Sequence, residues 1–323
     1  RQRHMCIRDR LKQMNIELID ENEIVAALDF IAPFENECVN LAHEILHGAK
    51  NCYAVKNESI ENAQSVARNS IEKIVGVFCF RNRRTIFHCL PFTKYKTALD
   101  KILCQETQGA FYEFFADEKP FCINGEVTGS LFLKNIFRNK KNPAHAKIVN
   151  EYFLMQKNFA QEKDASADLP AQSLEMPQSS ENEFRIFQAA PCDEEKLFPL
   201  ERAYQFEEVI PPNFNVSEKL LRDSFRLNLQ SQRIFALQIE GAPVAKAAIT
   251  ACGKNCALLG GVYTLPEFRR KGFATILIRH ILRVLATENK CASLYARKNK
   301  IAAVELYKKL GFESVAEYRL IYF

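Results

Sequence analysis

Between Val262 and Ala274 the sequence reads Val-Tyr-Thr-Leu-Pro-Glu-Phe-Arg-Arg-Lys-Gly-Phe-Ala. An apolar strand-like run ends at Thr264, a turn follows at Leu265-Pro266, and a helical period opens at Gly272 or Phe273. A helix start presents backbone N–H groups without intrahelical partners and the positive end of the macrodipole, so it attracts phosphate. Gly272 lets the backbone approach a bulky diphosphate. Arg269, Arg270 and Lys271 add positive charge, with bidentate geometry open to arginine. The small Ala274 keeps the first turn clear. Together these features predict a pyrophosphate cradle. A lone basic turn of this kind is more often just solvated, so its setting has to decide.

The setting is a regular order of elements. Phe184–Ala190 alternates as a strand, and Glu195–Val209 carries a helical period broken by Ile210-Pro211-Pro212-Asn213. Ser217 caps a second helix to about Gln230. Ile234–Ile239 and Val244–Thr250 are strands around Glu240-Gly241, a hairpin signal, and Ala257–Thr264 is a third. Phe273–Thr287 is an amphipathic helix, Ser293–Ala296 a strand, and Ile301–Leu310 a helix stopped by Gly311. Phe312–Phe323 supplies closing strands. The order predicts an α/β arrangement on a mixed sheet.

This stretch, Phe184–Phe323, resembles the GCN5-related N-acetyltransferase (GNAT) superfamily. The resemblance rests on the basic glycine turn and on Lys300-Ile-Ala-Ala-Val-Glu-Leu-Tyr-Lys-Lys-Leu-Gly-Phe312, where Leu-Tyr and Leu-Gly-Phe recur at the family's spacing. The lead-in Gly260-Gly-Val-Tyr-Thr264 is most similar to the subgroup that contains glycine N-acyltransferase-like proteins. The resemblance implies an acyl-CoA co-substrate, expected to be acetyl-CoA, and no metal. It also implies that the backbone of Val262, Tyr263 and Thr264 pairs with the pantetheine arm like an added strand, and that the amides from Arg270 through Phe273 to Ala274 hold the pyrophosphate with Arg269 and Lys271 nearby. Tyr307 matches the tyrosine that protonates the departing thiolate; a buried aromatic on a helix face is the plainer alternative. The family's asparagine before this helix falls at Lys300, with Asn299 one residue displaced. Glu207 and Glu208 are base candidates, and a solvated helix end accounts for them equally well. The resemblance further implies an α/β (α+β) fold of two GNAT-like domains, each a mixed, mostly antiparallel sheet flanked by helices.

Weak echoes suggest that the first half repeats the second. Val149-Asn-Glu-Tyr-Phe-Leu154 parallels Val315-Ala-Glu-Tyr-Arg-Leu320, and Leu90-Pro91 parallels Leu265-Pro266. Tyr53-Ala-Val55 parallels Phe235-Ala-Leu237, and Leu133 stands where Tyr307 would. After Leu90-Pro91 the chain reads Phe-Thr-Lys-Tyr-Lys-Thr-Ala98 without glycine, so this half is expected to be a degenerate copy that lost CoA binding. His43-Glu-Ile-Leu-His47 fits the HExxH zinc pair, but the downstream candidates Glu58, Glu61 and Glu72 lie in no recognisable third-ligand motif. No metal is expected.

Domain boundaries follow from pattern breaks. Residues 157–183 are polar and punctuated by Pro170 and Pro177, which reads as a linker. It separates a GNAT-like domain over 14–156 from a catalytic acetyltransferase domain over 184–323. Arg1-Gln2-Arg3 and Met5–Arg10 resemble the translation of a sequencing adaptor, so residues 1–13 are expected to be an artefact, with either Met14 as the natural start or an incomplete N-terminus.

Removing that segment changes the charge argument. The chain of 323 residues has a formal net charge of +5, of which residues 1–13 hold +4. What remains is too little to point to nucleic acid or an anionic membrane. No apolar run reaches the ~18 residues of a membrane span. The 11 cysteines show no paired CxxC spacing, although Cys252 and Cys256 flank a turn. Reduced, mostly buried thiols and a cytoplasmic location are expected.

The expected function is acyl-CoA-dependent N-acyl transfer to a small-molecule or peptide amine. A non-catalytic acyl-CoA-binding or regulatory module is the alternative, and a zinc peptidase a distant third.

Overall fold

The computed structural model describes residues 14–48, 50–57, 74–81, 84–94, 96–141, 143–159, 184–210 and 215–323. The expected artefact over 1–13, most of the expected linker, the break at 211–213, and Glu58, Glu61 and Glu72 lie outside the described residues. The chain divides into two compact units. The first falls within Arg1–Leu154, Ala296–Ile301 and Ser314–Phe323, and the second within Met155–Tyr295 and Ala302–Glu313.

In the first unit the strands are β1 (Met14–Leu18), β2 (Cys52–Asn57), β3 (Ile74–Arg81), β4 (Thr85–Cys89), β5 (Cys122–Glu126) and β6 (Ile148–Lys157), with β12 (Glu313–Tyr322) entering between β5 and β6. The helices are α1 (Ile24–Ile31), α2 (Val39–Leu46), α3 (Ala98–Phe114) and α4 (Val127–Asn139). One core joins Ala27, Ile31, Leu41 and Ile45 of α1 and α2 to Val77 and Cys79 of β3. A second, aromatic core joins Phe111 and Phe137 to Phe78 and Phe80. Phe78 and Cys79 are adjacent in β3 and serve different cores, as the two-residue period of a strand requires.

The second unit holds β7 (Phe184–Gln188), α5 (Glu194–Tyr204), α6 (Glu218–Ser231), β8 (Arg233–Ile239), β9 (Ala242–Cys252), β10 (Cys256–Thr264), α7 (Phe273–Thr287), β11 (Cys291–Arg297) and α8 (Ile301–Lys309). Its strand order is β11-β10-β9-β8-β7, antiparallel except for the parallel β10–β11 pair. Ile234, Ala236 and Ala248 pack under α5 and α6 with Leu197, Phe198, Leu221 and Phe225. Phe235, pointing the other way, meets His280 of α7. Ser217 caps α6, its hydroxyl accepting from the Leu220 N–H at 3.3 Å. Glu240 and Gly241 adopt φ of 50° and 83°, the left-handed pair that a two-residue hairpin requires. The mixed α/β character and the mostly antiparallel sheets are those expected.

Two expectations change. Phe312–Phe323 was expected to close the second half's own sheet. It forms the single strand β12, which pairs antiparallel with β5, Tyr318 opposite Glu126 and Tyr322 opposite Cys122. The expected reduced thiols include an exception: Cys256 and Cys291 form a disulfide. They are register partners at the start of β10 and β11, with Cα atoms 4.6 Å apart. A separation of 35 residues hides that proximity in the sequence. No described helix is long and apolar enough to cross a membrane.

Candidate functional site

β10 and β11 run side by side from Cys256↔Cys291 to Leu259↔Leu294, and among the described residues their pairing ends there. β10 continues to Thr264, and β11 beyond Leu294, so a wedge opens between two parallel strands. On its other side β10 stays paired with β9 but shifts register between Gly260 and Tyr263. Gly260 faces Ala248 and Tyr263 faces Lys246, which leaves one extra residue in β10. Gly261 takes φ +60°, a conformation that glycine adopts without steric cost. Val262, Tyr263 and Thr264 therefore lie beyond the bulge, along the wedge. The Thr264 hydroxyl is buried without a hydrogen-bond partner, the kind of orphan that a bound ligand can satisfy.

The turn that follows leads from the strand into a helix start. The Leu265 N–H donates to the Val244 carbonyl at 3.0 Å, and a 3-10 turn covers Pro266–Phe268. Arg270 and Gly272 both have positive φ, 61° and 82°, and Gly272 is the N-cap of α7. The first bond into the helix runs from the Ile276 N–H to the Gly272 carbonyl at 3.0 Å. The amides of Phe273 and Ala274 are thus left to the unpaired first turn. A Cβ at Gly272 would have nothing within 4 Å, so the space before the helix is open. Arg270 and Lys271 are exposed, while Phe273 is buried and tilts against Phe268, anchoring the helix start.

Arg269 is oriented differently from its neighbours. Its Nη2 donates to Glu207 Oε2 at 2.7 Å, its Nε donates to the Thr264 carbonyl at 2.9 Å, and its guanidinium lies over the Tyr263 ring. The Tyr263 hydroxyl donates to the same Glu207 oxygen at 2.8 Å. Burial and then that carboxylate push the Tyr263 phenol up to about 12. Glu207 therefore ties the strand end to the turn.

Glu207 and Glu208 sit on Gln205–Val209, where the helix widens into a π turn closed by the Ile210 N–H to Gln205 carbonyl bond at 2.8 Å. An ordinary helix was expected through Val209. Single π turns are uncommon and cluster at functional sites. Tyr307 lies on α8, buried, with its ring 6.0 Å from Phe312. Burial first, and the nearby charge of Glu208 second, push its phenol up to about 12. The charge of Glu208 thus bears on Tyr307, although the two are about a hundred residues apart in the chain. Gly311 takes φ +84° and the Phe312 N–H returns to the Tyr307 carbonyl, the helix end expected from Leu-Gly-Phe. Asn299 lies in the turn between β11 and α8.

One buried group escaped the sequence reading. Lys246, in the apolar run of β9, is 4% exposed and pairs with Glu201 of α5 at 2.8 Å. Its signal was a lone lysine inside Ala-Pro-Val-Ala-Lys-Ala-Ala-Ile.

The first unit also holds a parallel strand pair. β4 and β5 pair in parallel from Thr85↔Cys122 to Phe87↔Asn124, and their pairing ends there. The next residue, His88, is buried and donates to or accepts from Ser130 Oγ at 3.0 Å. A Cβ at Gly125 would stand 2.1 Å from His88 Nε2, and one at Gly129 would meet the same ring at 2.5 Å. The imidazole thus fills the fork, and burial holds it neutral, its pKa pushed down to about 3. At the HExxH segment His47 Nδ1 lies 2.8 Å from the His43 carbonyl oxygen and Glu44 pairs with Arg81. Among the described residues no group of three His, Cys, Asp or Glu side chains is placed to hold a metal ion.

Comparison with known proteins bears on both units. The chain is similar to the structure of a Drosophila protein, with 11% identity and a TM-score of 0.56 over 96% of this chain and 99% of that one. It is similar to a tandem GNAT protein from the clavulanic acid biosynthesis pathway, with 11% identity and a TM-score of 0.52 over 96% of this chain and 98% of that one. A putative acetyltransferase of the GNAT family from Novosphingobium aromaticivorans is 21% identical over 55% of this chain, with a TM-score of 0.38, and the match spans 65% of its own length. No curated protein matches the sequence. The chain has a two-domain GNAT fold, and its residues 196–312 match the Acetyltransferase (GNAT) family.

Proposed function

We propose that the second unit is an acyl-CoA-dependent N-acyltransferase that uses acetyl-CoA and a primary amine on a small molecule or peptide. The observation that carries this reading is the alignment of three features on one strand and its turn. They are the wedge beyond Leu259↔Leu294, the bulge at Gly261, and the open helix start at Gly272. A pantetheine arm fits the wedge as a strand would, along Val262–Thr264, and the diphosphate fits the amides from Arg270 to Ala274. Lys271 and Arg270 supply charge there. Arg269 is engaged with Glu207 and acts as a brace. Asn299 keeps the role of a cofactor contact given by the resemblance.

The reaction is a direct displacement. The neutral amine nitrogen attacks the thioester carbonyl carbon, the oxygen is held by strand N–H groups, and the C–S bond breaks. Tyr307 gives its proton to the leaving thiolate, which its raised pKa keeps available at neutral pH. Glu208, whose charge reaches Tyr307, takes the proton lost by the amine and returns it to Tyr307 through water. Glu207, already accepting from Tyr263 and Arg269, orients the strand end. The Gly260–Thr264 lead-in supports a likeness to glycine N-acyltransferase-like proteins, and the proposed compartment is the cytoplasm.

The test is thiol release from acetyl-CoA against pooled amines, amino acids and peptide N-termini. Acceptor-dependent release is expected. Tight acetyl-CoA binding without release across the whole panel would point to a binding module instead.

The first unit is proposed to be a copy that lost the cofactor. His88 in the β4–β5 fork and Leu133 on α4, where Tyr307 stands on α8, support this. The sequence echoes also fall on like elements, β2 with β8 and β6 with β12. Titration calorimetry should give one acetyl-CoA per chain; a stoichiometry of two would remove the idea of a lost site.

A further inference from the structure

A buried ion pair is seldom retained for stability alone, because apolar side chains of similar volume do as well or better. Lys246 and Glu201 are both 4% exposed, and the lysine is flanked by buried Ala245, Ala247 and Ala248. Burial pulls the lysine's pKa down, and the carboxylate opposes this. The ammonium makes two further contacts. It donates to the Gly261 carbonyl at 3.2 Å and sits over the Tyr204 ring at 4.0 Å. Gly261 is the residue at which β10 leaves register with β9.

We infer that Lys246 is a positioning residue for the acyl transfer proposed above, a reading on which this inference rests: its ammonium fixes the Gly261–Val262 peptide and thereby the direction of the Val262 N–H. In a trans peptide the carbonyl and the following N–H point opposite ways. A carbonyl clamped toward Lys246 therefore aims the Val262 N–H away from the ammonium, as a fixed donor for the thioester oxygen. A charge-assisted bond to the carbonyl also polarises the peptide and strengthens its N–H as a donor. At the other end of the segment Arg269 holds the Thr264 carbonyl. The stretch Gly261–Thr264 is pinned by a cation at each end, and a donor held in place costs no reorganisation when negative charge develops.

The test replaces both charges together, Lys246→Met with Glu201→Leu, so that neither is left buried and unpaired. Steady-state rates and calorimetric binding of acetyl-CoA are measured on wild type and variant, with a thermal melt to verify folding. Loss of an oxyanion donor costs about 100- to 1000-fold in kcat, so a donor merely misaimed should cost roughly 10- to 100-fold. The acetyl-CoA dissociation constant should stay within about twofold. A folded variant with wild-type kcat overturns the inference while leaving the acyltransferase reading intact. Equal losses in binding and turnover overturn it too, since the pair would then merely support the wedge. A wild-type chain that binds acetyl-CoA but releases no thiol with any amine overturns the acyltransferase reading itself, and this inference with it. If the double variant does not fold, Lys246→Arg is read by the same split, with kcat reduced and binding retained as the expected result.

Discussion

Gly272→Glu should reduce acetyl-CoA affinity by more than about 100-fold while leaving the chain folded. Two effects add. Gly272 has φ +82°, and a side chain in that conformation costs about 1–2 kcal/mol. That is a modest fraction of the ~5–15 kcal/mol that holds a typical domain together. The larger effect is electrostatic. Nothing lies within 4 Å of the position a Cβ would take, so the new side chain enters the space before α7. A carboxylate about 4 Å from the diphosphate, at an effective dielectric of ~20, repels each unit charge by about 4 kcal/mol before salt screening. Gly272→Ala separates the two effects, since it carries the strain without the charge. It should lower the melting temperature and keep the affinity within about threefold. Calorimetry with acetyl-CoA, accompanied by a thermal melt, reads both variants; full affinity in Gly272→Glu would show that the diphosphate is held elsewhere.

Tyr307→Phe should lower kcat by about 100- to 10,000-fold, the range over which a general acid contributes, with acetyl-CoA affinity within about twofold. The ring is buried against Phe312, so phenylalanine preserves the packing and removes only the hydroxyl. The pH profile adds a check. Burial and Glu208 push this phenol up to about 12, so its acid form persists across the usual assay range. The wild-type rate should rise with pH as the acceptor amine loses its proton, and should show no falling limb from Tyr307 below about pH 10. Wild-type turnover in the variant would move the proton-donor role to another group.

Much of the second unit was legible because its signals are local. Ser217 as a cap, Glu240-Gly241 as a left-handed turn, and Gly311 after α8 each depend on a few neighbouring residues. The period of Phe273–Thr287 gave that helix its exact ends. What escaped depends on partners distant in sequence. The π turn at Gln205–Val209 carries Glu207, whose carboxylate meets Tyr263 and Arg269, contacts that no helical period encodes. Arg269 was read with its two basic neighbours as a phosphate ligand, because sequence cannot tell which of three adjacent cations turns back onto the strand. Cys256 and Cys291 meet only because β10 and β11 share a register. Lys246 could have been flagged as a charge in an alanine run, but its partner Glu201 was invisible before α5 was placed over β9. In the first half HExxH gave the sharpest pattern and the least information: the histidine rings lie 4.0 Å apart, tilted, at the end of an ordinary helix.

The strand β12 belongs to the first unit, although almost the whole chain separates it from β1. Its pairing with β5 joins residues near 124 to residues near 320, a loop whose closure comes late and slowly. During synthesis the first unit is therefore held incomplete while the whole of the second emerges from the ribosome. Through that interval β5 carries an open edge, the kind of surface on which strands of other chains add. A nascent chain released after Thr287 would lack the strand that covers it.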